Sequence, residues 1–252
     1  MGLMRIVIAF LAFTPFIFYF YKKINWSKWK LYLLIGVTGN AIPAFMYALA
    51  QTEITSIASG ILNSLTPLFT IIFGLLFFKV KSNIYQGIGV ALGLVGAILI
   101  IVYGSQLDLG SNPAYGLFVV IGTMCYAINS NFIKTYFQDD DPLLLAAVSF
   151  LLIGVPFVFI ALCIGIPAKV MASDAAQLSL MYLTLLSIMS TVFSLIIYYQ
   201  LLQRTTALFA SSVTYIMPSI VLFWGIFDGE ALVIYHFIGL GLIIGGVYLI
   251  RK

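Results

Sequence analysis

The sequence predicts an all-α polytopic membrane protein, an inverted-repeat helix bundle with nine transmembrane helices. Three observations carry that expectation: a charge-poor composition cut into long apolar runs, basic residues confined to alternate loops, and an internal repeat whose charges are reversed between copies. Only 8% of the 252 residues are Asp, Glu, Lys or Arg, against 63% hydrophobic and a mean hydropathy of +1.14. A soluble domain carries about 25% charged residues.

The apolar runs lie at 3–21, 31–50, 55–78, 83–103, 114–136, 143–166, 178–202, 207–227 and 232–250. A hydrocarbon core about 30 Å thick takes roughly 17–25 helical residues to cross. Backbone groups in lipid must be satisfied internally, which leaves helices or a closed barrel. Barrel strands alternate polar and apolar over about 10 residues, whereas Gly87–Tyr103 is apolar throughout, so the runs read as helices.

The first run, through Tyr21, lacks an A-x-A site and is followed rather than preceded by lysines, so it reads as a retained span. The second carries Thr38, Asn40, Tyr47 and Gln51, with Pro43 loosening the helix. In the third, Ser56, Ser59, Asn63 and Thr66 recur at spacings that place them on one face, just before Pro67. The fourth holds Gly87, Gly89 and Gly93, and the fifth holds Thr123, Tyr126, Asn129 and Ser130. Asp139, Asp140 and Asp141 ahead of Pro142 read as a solvated loop and the start of the sixth helix. The seventh presents a stripe of Ser187, Ser190, Thr191, Ser194 and Tyr198. The eighth has Ser211, Ser212, Thr214 and Tyr215 ahead of Pro218, and the ninth has Gly239, Gly241 and Gly245. His236, near the end of that last run, reads as an interfacial residue.

Ten of the twelve basic residues fall on one side: Lys22, Lys23, Lys28, Lys30, Lys79, Lys81, Lys134, Arg204, Arg251 and Lys252. The other side holds Arg5 and Lys169 with Glu53, Asp108, Asp174, Asp228 and Glu230. Lys/Arg excess marks the cytoplasmic side, so a plasma or inner membrane location with a cytoplasmic C-terminus is expected. The net charge of +4 is juxtamembrane, which suits the lipid bilayer as partner and excludes a nucleic-acid reading. Cys125 and Cys163 both fall inside spans, so neither a disulfide nor a metal site is expected, and no cofactor.

The repeat runs from Tyr47 to Ile100 and again from Tyr198 to Ile250. Tyr47, Thr55, Pro67 and Gly74 match Tyr198, Thr206, Pro218 and Gly225; after a one-residue slip, Gly87, Gly89 and Gly93 match Gly239, Gly241 and Gly245. Glu53 aligns with Arg204, and Lys79 with Glu230. The two copies are thus expected to cross the membrane in opposite senses, a signature of secondary transporters that rock one half against the other.

These residues give the chain a resemblance to the drug/metabolite transporter superfamily, and within it to EamA-type transporters. The resemblance rests on the loop ending in Arg204, the Ala207–Ala210 segment, mid-helix Pro218, the Asp228-Gly229-Glu230 turn and the glycines from Gly239 to Gly246. It implies ten helices in two inverted repeats. They would be a first over residues 1–106, lacking its first helix, and a second over 114–252. The glutamate usual at the end of the first repeat's fourth helix is Lys79 here, so no role for that acid carries over.

Polar residues within spans are costly in lipid and tend to face the bundle interior. The candidates for the substrate path are Asn40, Tyr47, Ser59, Asn63, Thr66, Tyr126, Asn129, Ser190, Ser194, Tyr198, Ser211, Thr214 and Tyr215; each also reads as helix–helix glue. Pro43, Pro67 and Pro218 are candidate hinges or fixed kinks. Pro67 and Pro218 free the carbonyls of Asn63 and Thr214. The glycine runs read as packing surfaces, within the chain or in a homodimer. The expected function is alternating-access export of small neutral or zwitterionic, amino-acid-like solutes. No ionisable group stands near a span centre in this reading, so coupling through a buried carboxylate is not expected. The alternative is a transport-inactive truncated relative or a membrane structural or assembly protein. A membrane-embedded enzyme would need a convergent acid, base or nucleophile set that one histidine does not supply.

Overall fold

Helix formation follows from the composition: long Leu, Ile, Val, Phe and Ala runs, with Pro15 and Pro156 carried inside α-helical segments and glycines within several of them. The computed structural model describes residues 2–104, 112–171, 173–220 and 234–251, and these are helical with no strand among them. Asp108, Gly225 and the Asp228-Gly229-Glu230 turn lie outside the described residues.

Among the described residues, seven helical stretches are long and apolar enough to cross a membrane: Gly2–Lys23, Trp26–Ala50, Ala58–Phe77, Gly116–Tyr136, Pro142–Cys163, Asp174–Arg204 and Ile234–Arg251. Shorter apolar helices at Ile84–Leu99 and Ala207–Ile220 coincide with two further expected runs. The chain is a multi-pass membrane protein. Large apolar side chains such as Phe18, Leu76, Phe77, Phe159 and Ile244 stand exposed around it, as suits a surface solvated by lipid.

The helices are α1 (Gly2–Phe20), α2 (Trp29–Gly36), α3 (Ile42–Ala50), α4 (Ser56–Asn63), α5 (Thr66–Phe77) and α6 (Ile84–Gly104). They continue with α7 (Gly116–Tyr136), α8 (Pro142–Cys163), α9 (Ile166–Met171), α10 (Asp174–Ser187), α11 (Ser194–Arg204), α12 (Ala207–Ser211) and α13 (Ile234–Arg251). A π-turn, Val37–Ala41, joins α2 to α3, and a second, Ile188–Phe193, joins α10 to α11. Pro43 explains the first, because it cannot bond the carbonyl of Gly39 and the ladder loosens ahead of it. The second contains no proline; the Ser194 hydroxyl reaches back to the Met189 carbonyl instead, at 3.0 Å.

The two π-turns lie at the offset that aligns Tyr47 with Tyr198. So do two caps. The Thr55 hydroxyl accepts from the Ala58 amide at 3.3 Å, and the Thr206 hydroxyl from the Phe209 amide at 3.1 Å, each fixing a helix start. Both copies also break just before their prolines, at Ser64–Leu65 and in the 3₁₀ turn Ser212–Tyr215. The carbonyl that Pro67 leaves unbonded, Asn63, accepts the Thr66 hydroxyl at 2.7 Å.

One core region joins α1, α2, α7, α8 and α11, with Phe13 on Phe150 at 5.3 Å and Tyr32 on Phe137 at 5.1 Å between ring centroids. A second is the α6–α13 pair, which also takes in Tyr215. Here a Cβ on Gly89 would come within 2.6 Å of the Gly246 carbonyl, and one on Gly96 within 2.6 Å of the Gly239 carbonyl. As numbering rises along α6 it falls along α13, so the two helices are antiparallel. Gly87, Gly241 and Gly245 face open space instead. His236 is buried, at 3% exposure, where the sequence suggested an interfacial position. It shares the inward face of α13 with Gly239, Ile243, Gly246 and Ile250 at helical spacing.

Candidate functional site

Between α1, α3, α7, α8 and α10 the bundle leaves a cavity of about 420 Å³. Its polar lining is Arg5, Asn40, Tyr47, Gln51, Tyr126 and Thr191, and its apolar wall includes Phe150, Leu183 and Leu186. Both π-turns reach it, the first through Gly39 and Asn40 and the second through Thr191. Such turns present side chains that a regular helix would rotate away.

Arg5 enters from α1. One terminal guanidinium nitrogen, Nη2, donates to Ser190 Oγ at 3.3 Å and Thr191 Oγ1 at 3.2 Å. Those hydroxyls stand near the middle of the 31-residue stretch Asp174–Arg204; Arg5 is half-buried there, and Ser190 is exposed. Arg5 reads as a flanking charge because it precedes its own apolar run, yet it reaches hydroxyls near the middle of another helical stretch.

Tyr47 lies flat against α7 because residue 122 is glycine; a Cβ there would come within 2.6 Å of the tyrosine ring. Its hydroxyl donates to Asn63 Oδ1, and its ring centroid is 6.0 Å from that of Tyr126. Below the cavity, Tyr198 and Ser130 hydroxyls meet at 2.9 Å, and Ser130 also bonds the Tyr126 carbonyl at 2.8 Å. Asn129, Ser130 and Tyr199 are buried at this level.

A smaller cavity of about 240 Å³ opens beyond that layer, at the lysine-rich end. Its polar lining includes Thr70, Lys81, Gln86, Asn131, Lys134, Thr135 and Thr206. Tyr126 lines the first cavity and Asn131 the second, both on α7. Five residues of helix rise about 7.5 Å, so only a turn and a half separates the two.

That lysine-rich end is fastened. Lys28 pairs with Asp140 at 3.1 Å; Gln203 Nε2 donates to the carbonyls of Phe137 at 2.8 Å and Asp140 at 2.6 Å; Lys134 donates to the Gln203 carbonyl at 3.0 Å. Asp141 caps α8 through the amides of Leu143 and Leu144. The acidic triplet thus starts a helix, as expected, and also holds a lysine.

Residues 1–102 and 114–252 match the sequence profile of the EamA-like transporter family. The chain belongs to that family. An uncharacterized transporter of Archaeoglobus fulgidus is 23% identical over 237 residues, 92% of this EamA-like chain and 80% of the relative. The uncharacterized inner membrane transporter YedA of Escherichia coli K12 is 25% identical over 219 residues, 86% of this chain and 69% of its own. A crystal structure of a further protein, 16% identical, shares the fold with a TM-score of 0.72 across 98% of this chain and 86% of the other.

Within this EamA-like chain, the candidates read from the sequence divide. Asn40, Tyr47 and Tyr126 line the larger cavity, and Ser190 holds Arg5. Asn63 holds Tyr47, while Asn129 and Tyr198 lie in the layer beneath. Ser194 bonds the Met189 carbonyl, and Ser59 is buried on α4. Thr66, Ser211 and Thr214 bond carbonyls of their own turns, and Tyr215 donates to the Val90 carbonyl at 3.0 Å with its ring against Gly93. Pro43 lines the cavity, whereas Pro67 and Pro218 are buried away from it. Asn131, absent from the sequence's candidates, bridges α7 to the Thr70 carbonyl at 2.9 Å and lines the smaller cavity. Its position on the face of Ala127 and Lys134 was the available signal.

Proposed function

We propose that this EamA-like chain is a secondary transporter that exports small neutral or zwitterionic, amino-acid-like solutes by alternating access. The observation that carries the reading is the pair of cavities on α7, separated by a turn and a half of helix and a polar layer of Asn129, Ser130 and Tyr198. A solute in the larger cavity needs only that layer to part. The fastened lysine-rich end and the larger cavity at the other end describe one of the two states such a cycle requires.

An inverted repeat supports rocking between those states. In its favour are the π-turns and threonine caps at one offset and the antiparallel packing of α6 on α13, helices equivalent in the two copies. The basic residues support a cytoplasmic lysine-rich end and C-terminus. The described acidic residues lie in loops or at helix starts, which supports coupling through something other than a buried carboxylate.

Counterflow of radiolabelled amino acids into proteoliposomes tests the reading. Uptake driven by trans-side amino acid, and unchanged when the pH gradient is dissipated, is the expected result. No counterflow for any amino acid would refute the substrate class, and flux that vanishes with the pH gradient would refute the coupling.

A further inference from the structure

We infer that Arg5 is an anion anchor and that the solute presents it a carboxylate; the inference rests on the transport reading above and narrows its substrate class. A guanidinium has five N–H donors in a planar fork that matches a carboxylate. Here Nη2 alone is engaged, and by two hydroxyls, which orient the group without neutralising it. Among the described residues the recorded ion pair is Lys28–Asp140, at the lysine-rich end, so no described carboxylate compensates Arg5. A half-buried arginine lining a cavity between apolar helices is costly unless a counter-charge or water meets it.

The rest of the cavity says what that counter-charge belongs to. Tyr47 and Tyr126 offer aromatic faces, and Asn40 and Gln51 offer amides. Ring faces attract an ammonium group, and amide oxygens accept from it. A purely cationic solute would be repelled by Arg5, and an uncharged one would leave the guanidinium uncompensated. A molecule carrying carboxylate and ammonium together satisfies both ends. The apolar wall of Phe150, Leu183 and Leu186 then receives an aliphatic or aromatic side chain.

The test uses the full chain in nanodiscs and in proteoliposomes, with two readouts. In the first, phenylglyoxal labels arginines and mass spectrometry follows Arg5, with Arg204 and Arg251 as internal controls. The protectants are L-alanine, L-leucine and L-phenylalanine, each beside its carboxamide. Slower labelling of Arg5 alone, by the acids and not by the amides, is expected. Equal protection by amides, no protection by any acid, or an Arg5 that resists labelling without ligand because another acid of the protein holds it would each overturn the anchor.

In the second readout, Arg5→Gln and Arg5→Lys are compared with the parent in amino-acid counterflow after size-exclusion chromatography confirms that each is folded. Loss of a charge-assisted contact should raise KM roughly 10- to 100-fold in Arg5→Gln, with Arg5→Lys between the two. Parental kinetics in Arg5→Gln would sink the anchor and leave the transport reading standing. Acid-specific protection of Arg5 without any counterflow would uphold the anchor and sink the transport reading.

Discussion

Tyr47 owes its place to a neighbour with no side chain. Its ring fills the space over Gly122, so a β-carbon there meets ring atoms at 2.6 Å. Gly122→Val should lower stability by about 1–3 kcal/mol, the usual cost of overpacking, seen as a lower melting temperature in detergent. It should also depress counterflow, because Tyr47 swings into the cavity. Thr66 has a different duty, since its hydroxyl meets the Asn63 carbonyl that Pro67 leaves bare. Thr66→Val should cost about 1 kcal/mol, measured the same way, while leaving KM unchanged. Asn40, Tyr47 and Tyr126 were legible as lining residues because polar groups in lipid have few places to go. Arg5 was not, because the hydroxyls it meets, Ser190 and Thr191, lie far along the chain.

Among the elements, α6 and α13 make the closest approach, backbone against backbone at Gly89 and Gly246. Gly89→Leu should therefore separate the pair and destabilise the protein by about 3 kcal/mol or more. Gly87→Leu, on a face with nothing within 4 Å, should stay within about 0.5 kcal/mol of the parent. Thermal unfolding of the two variants side by side checks the contrast. From the glycine spacing alone both residues belonged to one packing surface; only the partner helix tells them apart. The π-turns show a similar division. Pro43 announced the first, but Ile188–Phe193 carries only hydroxyls, and hydrophobic periodicity does not register a widened turn. The helical character of the described apolar runs was legible, because lipid leaves only helices or a closed barrel, but among the described residues seven of the nine expected runs are helices long enough to cross a membrane.

At the scale of the whole molecule, four residues from distant segments close the lysine-rich end. The Lys28–Asp140 pair is partly exposed, at 34% and 26% side-chain accessibility, and such pairs contribute about 0–1 kcal/mol. Gln203 matters more, since one amide serves two carbonyls. Gln203→Leu should favour opening at that end by about tenfold if it removes about 1.4 kcal/mol of hydrogen bonding. The check is faster maleimide labelling of an Asn131→Cys reporter, which sits in the smaller cavity. The sequence placed these charges on one side but gave no pairing, because ion pairs between loops depend on how helices far apart in the chain are arranged.

The thin layer between the cavities also has an electrical consequence. With water in both cavities and the lysine-rich end open, most of the membrane potential would fall across about 7.5 Å of helix instead of the full bilayer. In the proposed cycle, a solute passing Asn129, Ser130 and Tyr198 would then cross nearly the whole voltage in one short step. Each net charge it bears then couples about 2.3 kcal/mol per 100 mV to its movement, whereas a zwitterion couples none. Current measured across a membrane loaded with the protein therefore reads out the net charge of the solute before its identity is known.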